Sequence, residues 1–134
     1  EPVGIFKMAP GAFFVLALLT AIQNKVKIEG EKKGKDVVSL DLRPIGTAIA
    51  DWFVVCNADS TTNVNAIADN IEEKMIEKCS RKVVRSQGRE NCLWIILDYT
   101  DIVVHIFQTE YRNFYRLENL WADADKNEYK DEQE

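Results

Sequence analysis

Residues Leu93–Trp121 read LWIILDYTDIVVHIFQTEYRNFYRLENLW and carry the chain from sheet spacing to helix spacing. Two apolar runs of strand length enclose a polar turn, and the second run feeds a segment whose apolar residues change to helical spacing. Two of the three tryptophans and the only histidine lie here. Pairing Leu97 with Ile102 across Asp98–Asp101 makes an antiparallel hairpin that sets Ile96 opposite Val103 and Trp94 opposite His105. Side chains alternate along a strand, so Trp94, Ile96, Asp98, Asp101, Val103, His105 and Phe107 look one way, and Ile95, Leu97, Ile102, Val104 and Ile106 the other. The second face is wholly aliphatic and is expected to be core. The first mixes aromatic, carboxylate and imidazole groups, which suits a partner surface or an active site better than a core.

The 134 residues allow one domain with a sizeable core, and 46% apolar with 29% charged content is that of a globular protein. A formal charge of -5 argues against a domain that grips nucleic acid through its phosphates, which needs clustered positive charge. A basic protein is the better-matched partner. Cys56, Cys79 and Cys92 form an odd set without a Cys-x-x-Cys spacing, so neither a disulfide framework nor a zinc site is suggested. The apolar stretch from Ala9 to Ile22 is too short to span a bilayer comfortably, and no membrane association is expected. Val15, Leu18, Leu19, Ile22 and Val26 suit a core helix from Pro10 to about Lys27, while the same composition also suits a targeting or expression-derived segment.

Outward from the hairpin, Asp36–Leu42 is a strand with a β-branched start, and Asp51–Asn57 an apolar run without alternation, as in a central strand. Ser60, Thr61, Thr62 and Asn63 can all cap a helix whose face carries Val64, Ile67, Ala68, Ile71, Met75 and Cys79. Lys82–Arg85 is a short edge strand. After Phe107, Thr109 can cap a last helix with Phe114, Leu117, Leu120 and Trp121 as its apolar stripe. The expected architecture is α/β (α+β), a mixed sheet of about five strands flanked by helices, in a single domain over residues 9–124. Residues 125–134 are expected to be an acidic, disordered tail.

Asp41, Asp51, Asp98 and Asp101 lie at or near strand ends, where carboxylates can hold a metal or act as acid or base. Their spacing is not specific, since Asp is also a common turn residue. No Gly-rich phosphate loop, Gly-x-Ser-x-Gly elbow or His-Glu-x-x-His helix is present, and the absence of a second histidine removes several enzyme classes. Tyr111, Arg112, Phe114, Tyr115 and Arg116 combine aromatic and guanidinium groups, a composition common at protein contacts.

From about Gly34 to Ala124, the blocks GKDVVSLDL, ADWFVVC, WIILDYTDIVVHIF and RNFYRLENLW together resemble the ribosomal silencing factor family, also called Iojap or RsfS. The resemblance implies a nucleotidyltransferase-like fold without that superfamily's catalytic apparatus, no cofactor, and a cytoplasmic translation repressor. It further implies binding to large-subunit ribosomal protein L fourteen, which blocks joining of the small subunit when nutrients are scarce. Carried over by motif, Trp94, Asp98, Tyr99, Asp101 and His105 match the family's partner-facing strands, and Arg112, Tyr115, Leu117, Glu118 and Trp121 its final helix block. Leu117 and Trp121 suit the core better than a contact. A homodimer is compatible with this reading. The family usually has glycine where this chain has Thr100, at a turn that favours positive φ. A metal-dependent nucleotidyltransferase or phosphohydrolase using Asp41, Asp98 and Asp101 is the alternative.

Overall fold

A computed structural model describes residues 35–46 and 48–129. The first expected helix, from Pro10 to Lys27, lies outside the described residues. Six strands, β1 (Lys35–Asp41), β2 (Trp52–Ala58), β3 (Arg85–Gln87), β4 (Trp94–Asp98), β5 (Ile102–Gln108) and β6 (Asp125–Tyr129), form one sheet in the order β3-β4-β5-β2-β1-β6. Only β2 and β5 run parallel; every other neighbouring pair is antiparallel. All seven residues of β2 are buried at the centre of this mixed sheet. Its run without polar alternation reflects cover on both faces.

Helix α1 (Thr61–Cys79) covers one face. Ser60 caps its start, accepting the Asn63 N–H at 3.1 Å, and Ser80 ends it in the left-handed region at φ 55°. Both ends therefore satisfy groups that an uncapped helix leaves open. Its buried stripe of Val64, Ile67, Ala68, Ile71 and Met75 meets Val54 and Cys56 of β2, Ile95 and Leu97 of β4 and Val104 and Ile106 of β5. A second core on the opposite face joins Val38, Leu40, Phe53, Val55, Val103 and Phe107 to Leu117 and the half-buried Trp94, Ile96 and Trp121.

Four features differ from the sequence expectation. The sheet has six strands because Asp125–Tyr129, assigned to a disordered tail, pairs antiparallel with β1 from Asp41 to Val37. An outer strand is held by its backbone bonds and needs little apolar surface, and exposed Lys126 and Glu128 are the kind of side chain that blunts a sheet edge. The short strand after α1 begins at Arg85, three residues beyond its expected start, and forms the other edge.

The hairpin pairs Ile96 with His105 and Trp94 with Phe107, a slide of two residues from the expected register. Because the slide is even, each strand side chain keeps its expected face. The turn is tighter than expected: the Tyr99 N–H donates to Ile102 O at 2.8 Å, and Thr100 sits at φ 78°. Asp98 Oδ1 accepts the Thr100 N–H at 2.8 Å and helps to hold that conformation.

The last helix is two pieces, α2 (Thr109–Tyr115) and α3 (Leu117–Leu120), separated by Arg116 at φ 50°. Gln108, not Thr109, is the cap: its side chain accepts the Glu110 N–H at 3.2 Å. The break turns Leu117 inward but leaves Phe114 77% and Leu120 75% exposed, so the expected stripe is not a continuous core face.

Candidate partner-binding face

The mixed face of the hairpin is built outward from His105. Burial lowers its pKa to about 4, so the imidazole is neutral near pH 7. The Trp94 indole N–H donates to His105 Nδ1 at 3.1 Å, which puts the imidazole proton on Nε2. Nε2 is buried and has no hydrogen-bond partner. Phe53 meets the imidazole edge-on at a centroid distance of 4.6 Å, and Phe107 stacks on the Trp94 ring at 4.8 Å. Trp94 is therefore fixed from behind by a bond and from below by a ring, while its own ring stays half-exposed.

Helix α2 extends this surface. Tyr115 lies 5.1 Å from the Trp94 ring, Phe114 5.1 Å from Tyr115, and Tyr111 6.0 Å from Tyr115. Tyr111, Phe114 and Tyr115 occupy i, i+3 and i+4 positions, hence one side of the helix, and all three are exposed. Trp94, Tyr111 and Tyr115 also line a cleft of about 190 Å³ with Gly88, Asn91 and Leu93. Gly88 sits at φ +87°, and a Cβ there would fall 2.0 Å from the Trp94 carbonyl oxygen. Only glycine lets this loop pass so close to the start of β4.

A polar chain, buried at Asn57 and Arg112, docks α2 onto the sheet. Arg112 donates to Asn57 Oδ1 at 2.7 Å and to Glu118 Oε2 at 2.6 Å. The Asn57 amide donates to Thr109 Oγ1 at 2.9 Å, and the Thr109 hydroxyl to Asp59 Oδ1 at 2.8 Å. Burial pushes the Glu118 carboxyl up, but the Arg112 hydrogen bonds and charge outweigh it and hold the pKa below its usual value.

The structure divides the residues singled out from sequence. Trp94, Asp98, His105 and Tyr115 belong to one side of the molecule, with His105 buried behind Trp94 and not itself accessible. Tyr99 does not join them. It is fully buried on the α1 face, burial raises the pKa of its hydroxyl, and it has no surface to offer a partner. Strand alternation explains this, since Tyr99 follows Asp98 and points the opposite way. The Asp101 carboxylate is held by Arg81 at 2.7 Å, and Arg81 also donates to the Tyr99 carbonyl. Asp101 therefore secures the hairpin tip to the end of α1. Arg112 is likewise buried in the docking chain. The sequence places Tyr111, Phe114 and Tyr115 in a contact-like composition, and also sets Phe114 in the apolar stripe of the last helix, which its exposure overturns. The left-handed turn at Arg116 breaks the stripe, and no residue there signals it, since arginine does not favour positive φ.

The carboxylates of the alternative reading do not converge. Asp41 is paired with Arg43 at 2.7 Å, which lowers its pKa, Asp98 serves the turn, and Asp101 is paired with Arg81. Among the described residues no group of three His, Cys, Asp or Glu side chains could hold a metal ion.

The family described as "Ribosomal silencing factor during starvation" matches residues 18–134. The ribosomal silencing factor RsfS of Halalkalibacterium halodurans is 36% identical over 103 residues, covering 77% of this chain and 86% of that protein. Protein Iojap, chloroplastic, of Zea mays is 32% identical over 98 residues, covering 73% of this chain and 42% of that longer protein. The crystal structure of a Chromobacterium violaceum protein superposes with a TM-score of 0.73 at 27% identity, covering 86% of this chain and 88% of that one. A match over most of the chain, relatives above 30% identity and a shared mixed α+β fold agree: the chain belongs to the ribosomal silencing factor family, whose members regulate translation in association with the ribosome.

Proposed function

We propose that the chain represses translation without catalysis, by docking its aromatic face on large-subunit ribosomal protein L fourteen and blocking the approach of the small subunit. The exposed ridge of Tyr111, Phe114 and Tyr115 against Trp94 carries this reading, because aromatic clusters backed by a rigid sheet are the usual centres of protein interfaces. Asp98 adds a carboxylate on the same sheet face, and the net charge of -5 suits a basic partner. Occlusion needs only affinity and bulk, so nothing in it calls for a reacting group. The reading places the protein with ribosomes in the cytoplasm. It is also open to a homodimer, which would compete with docking if it used the same aromatic ridge.

Binding of L fourteen to the purified chain and to its Phe114→Ala and Tyr115→Ala variants tests the face. These rings are exposed, so their removal should leave the fold intact and weaken binding by about 2 kcal/mol at a hot spot, roughly 30-fold. Unchanged affinity in both variants would remove this ridge from the interface.

A further inference from the structure

Three aromatic rings wall the cleft of about 190 Å³ between α2 and the start of β4. Ligand pockets for nucleotides and other small molecules run to about 300–1,000 Å³, so this space suits the end of one side chain better. Its walls are the rings of Trp94, Tyr111 and Tyr115, with Trp94 and Tyr115 5.1 Å apart and tilted by 43°. Rings at this distance touch each other, so a group in the cleft packs against the ring surfaces that line it, and electron-rich ring faces attract a cation.

The charges next to the cleft are mainly acidic. Glu90 follows the lining Gly88 by two residues, Glu110 precedes the lining Tyr111, and both are exposed; the Glu110 carboxylate accepts from Gln108 Nε2 at 2.9 Å but keeps its negative charge. Two of the neighbouring arginines are paired elsewhere. Arg89 donates to Asp69 and Glu72 at 2.9 and 2.8 Å, and Arg112 is held by Asn57 and Glu118. Arg116, next to Tyr115, lines a different cleft with Lys126. The aromatic walls thus carry acidic groups beside them in an acidic protein.

We infer that this cleft receives the cationic end of an arginine or lysine side chain of the partner protein, held over the rings of Trp94, Tyr111 and Tyr115. This rests on the docking face proposed above and specifies what that face recognises. An aliphatic side chain would gain from the rings but nothing from the acidic rim, whereas a guanidinium or ammonium gains from both.

NMR titration of the full chain with N-acetyl-arginine amide, following the Trp94 indole N–H, tests the site directly. The uncharged citrulline analogue has nearly the same shape and isolates the charge. A saturable shift at Trp94 is expected with arginine amide, about three- to tenfold weaker with citrulline and lost in Tyr115→Leu with an unchanged circular dichroism spectrum. Equal responses to the two probes, or no response at Trp94, would overturn the cation site. The same Tyr115→Leu variant, assayed against L fourteen, separates the two ideas. Lost L fourteen binding with no preference for arginine leaves the docking face standing and removes the cation site. Unchanged L fourteen binding removes the docking face, and the partner's cation with it, even where arginine amide binds.

Discussion

The bond from Trp94 to His105 ties the exposed surface to a buried group that titrates. Protonation would turn Nδ1 from acceptor to donor and set it against the indole N–H. Between pH 6.5 and about 4 the unfolded chain binds a proton at His105 that the folded chain refuses, so this contribution to stability is complete above pH 6.5 and falls as pH drops through that window. Urea unfolding at pH 6.5 and pH 5 should show a loss of about 2 kcal/mol that is absent in His105→Gln, whose amide oxygen can still accept the indole N–H. Equal losses in the two proteins would mean that His105 is not a source of acid sensitivity. Thr100 tests a second local feature. A β-branched residue at φ 78° is strained, so Thr100→Gly should raise stability by up to about 1 kcal/mol in thermal melts, with a lower melting temperature as the contrary result.

At the scale of elements, the buried Arg112 chain decides whether α2 sits where its aromatic ridge can be used. Arg112→Ala leaves the Glu118 carboxylate and the Asn57 carbonyl without their donor, and should cost about 3 kcal/mol. Calorimetry would register this as a lowered melting temperature, while a change near zero would show that α2 is docked by its apolar contacts alone. Sequence alone made the central elements legible. The apolar run at Trp52–Ala58, the capped stripe of α1 and the alternation of the hairpin each carry a period that belongs to one structure. The even slide in register spared the face assignment, which is why Trp94, Asp98 and His105 were placed on one side correctly. Position within that face was less legible. Burial of His105 and Arg112 depends on partners 11 and 55 positions away in the chain, Trp94 and Asn57. Tyr99 was assigned to the partner through its motif, although its place after Asp98 already turned it to the α1 face. Strand β6 could not be read from side chains at all, since its partner is the backbone of β1.

Among the described residues of the whole molecule, α1 packs on one face of the sheet, and α2, α3 and Trp94 on the other. The carboxylates of the alternative reading are dispersed into arginine pairs and a turn, while Tyr111, Phe114 and Tyr115 gather on one side of α2. That distribution suits a protein that acts by holding its place on the ribosome. Membership of the ribosomal silencing factor family supplies the ribosomal setting, and the ridge supplies a surface through which the setting can be used. The most direct test is the joining of purified small and large ribosomal subunits, followed by light scattering, with increasing wild-type chain or the Phe114→Ala/Tyr115→Ala double variant. Wild-type chain should reduce joining when mixed first with large subunits, and the folded double variant should require at least about tenfold more protein for the same effect. Undiminished joining in the presence of large subunits saturated with wild-type chain would contradict repression by occlusion.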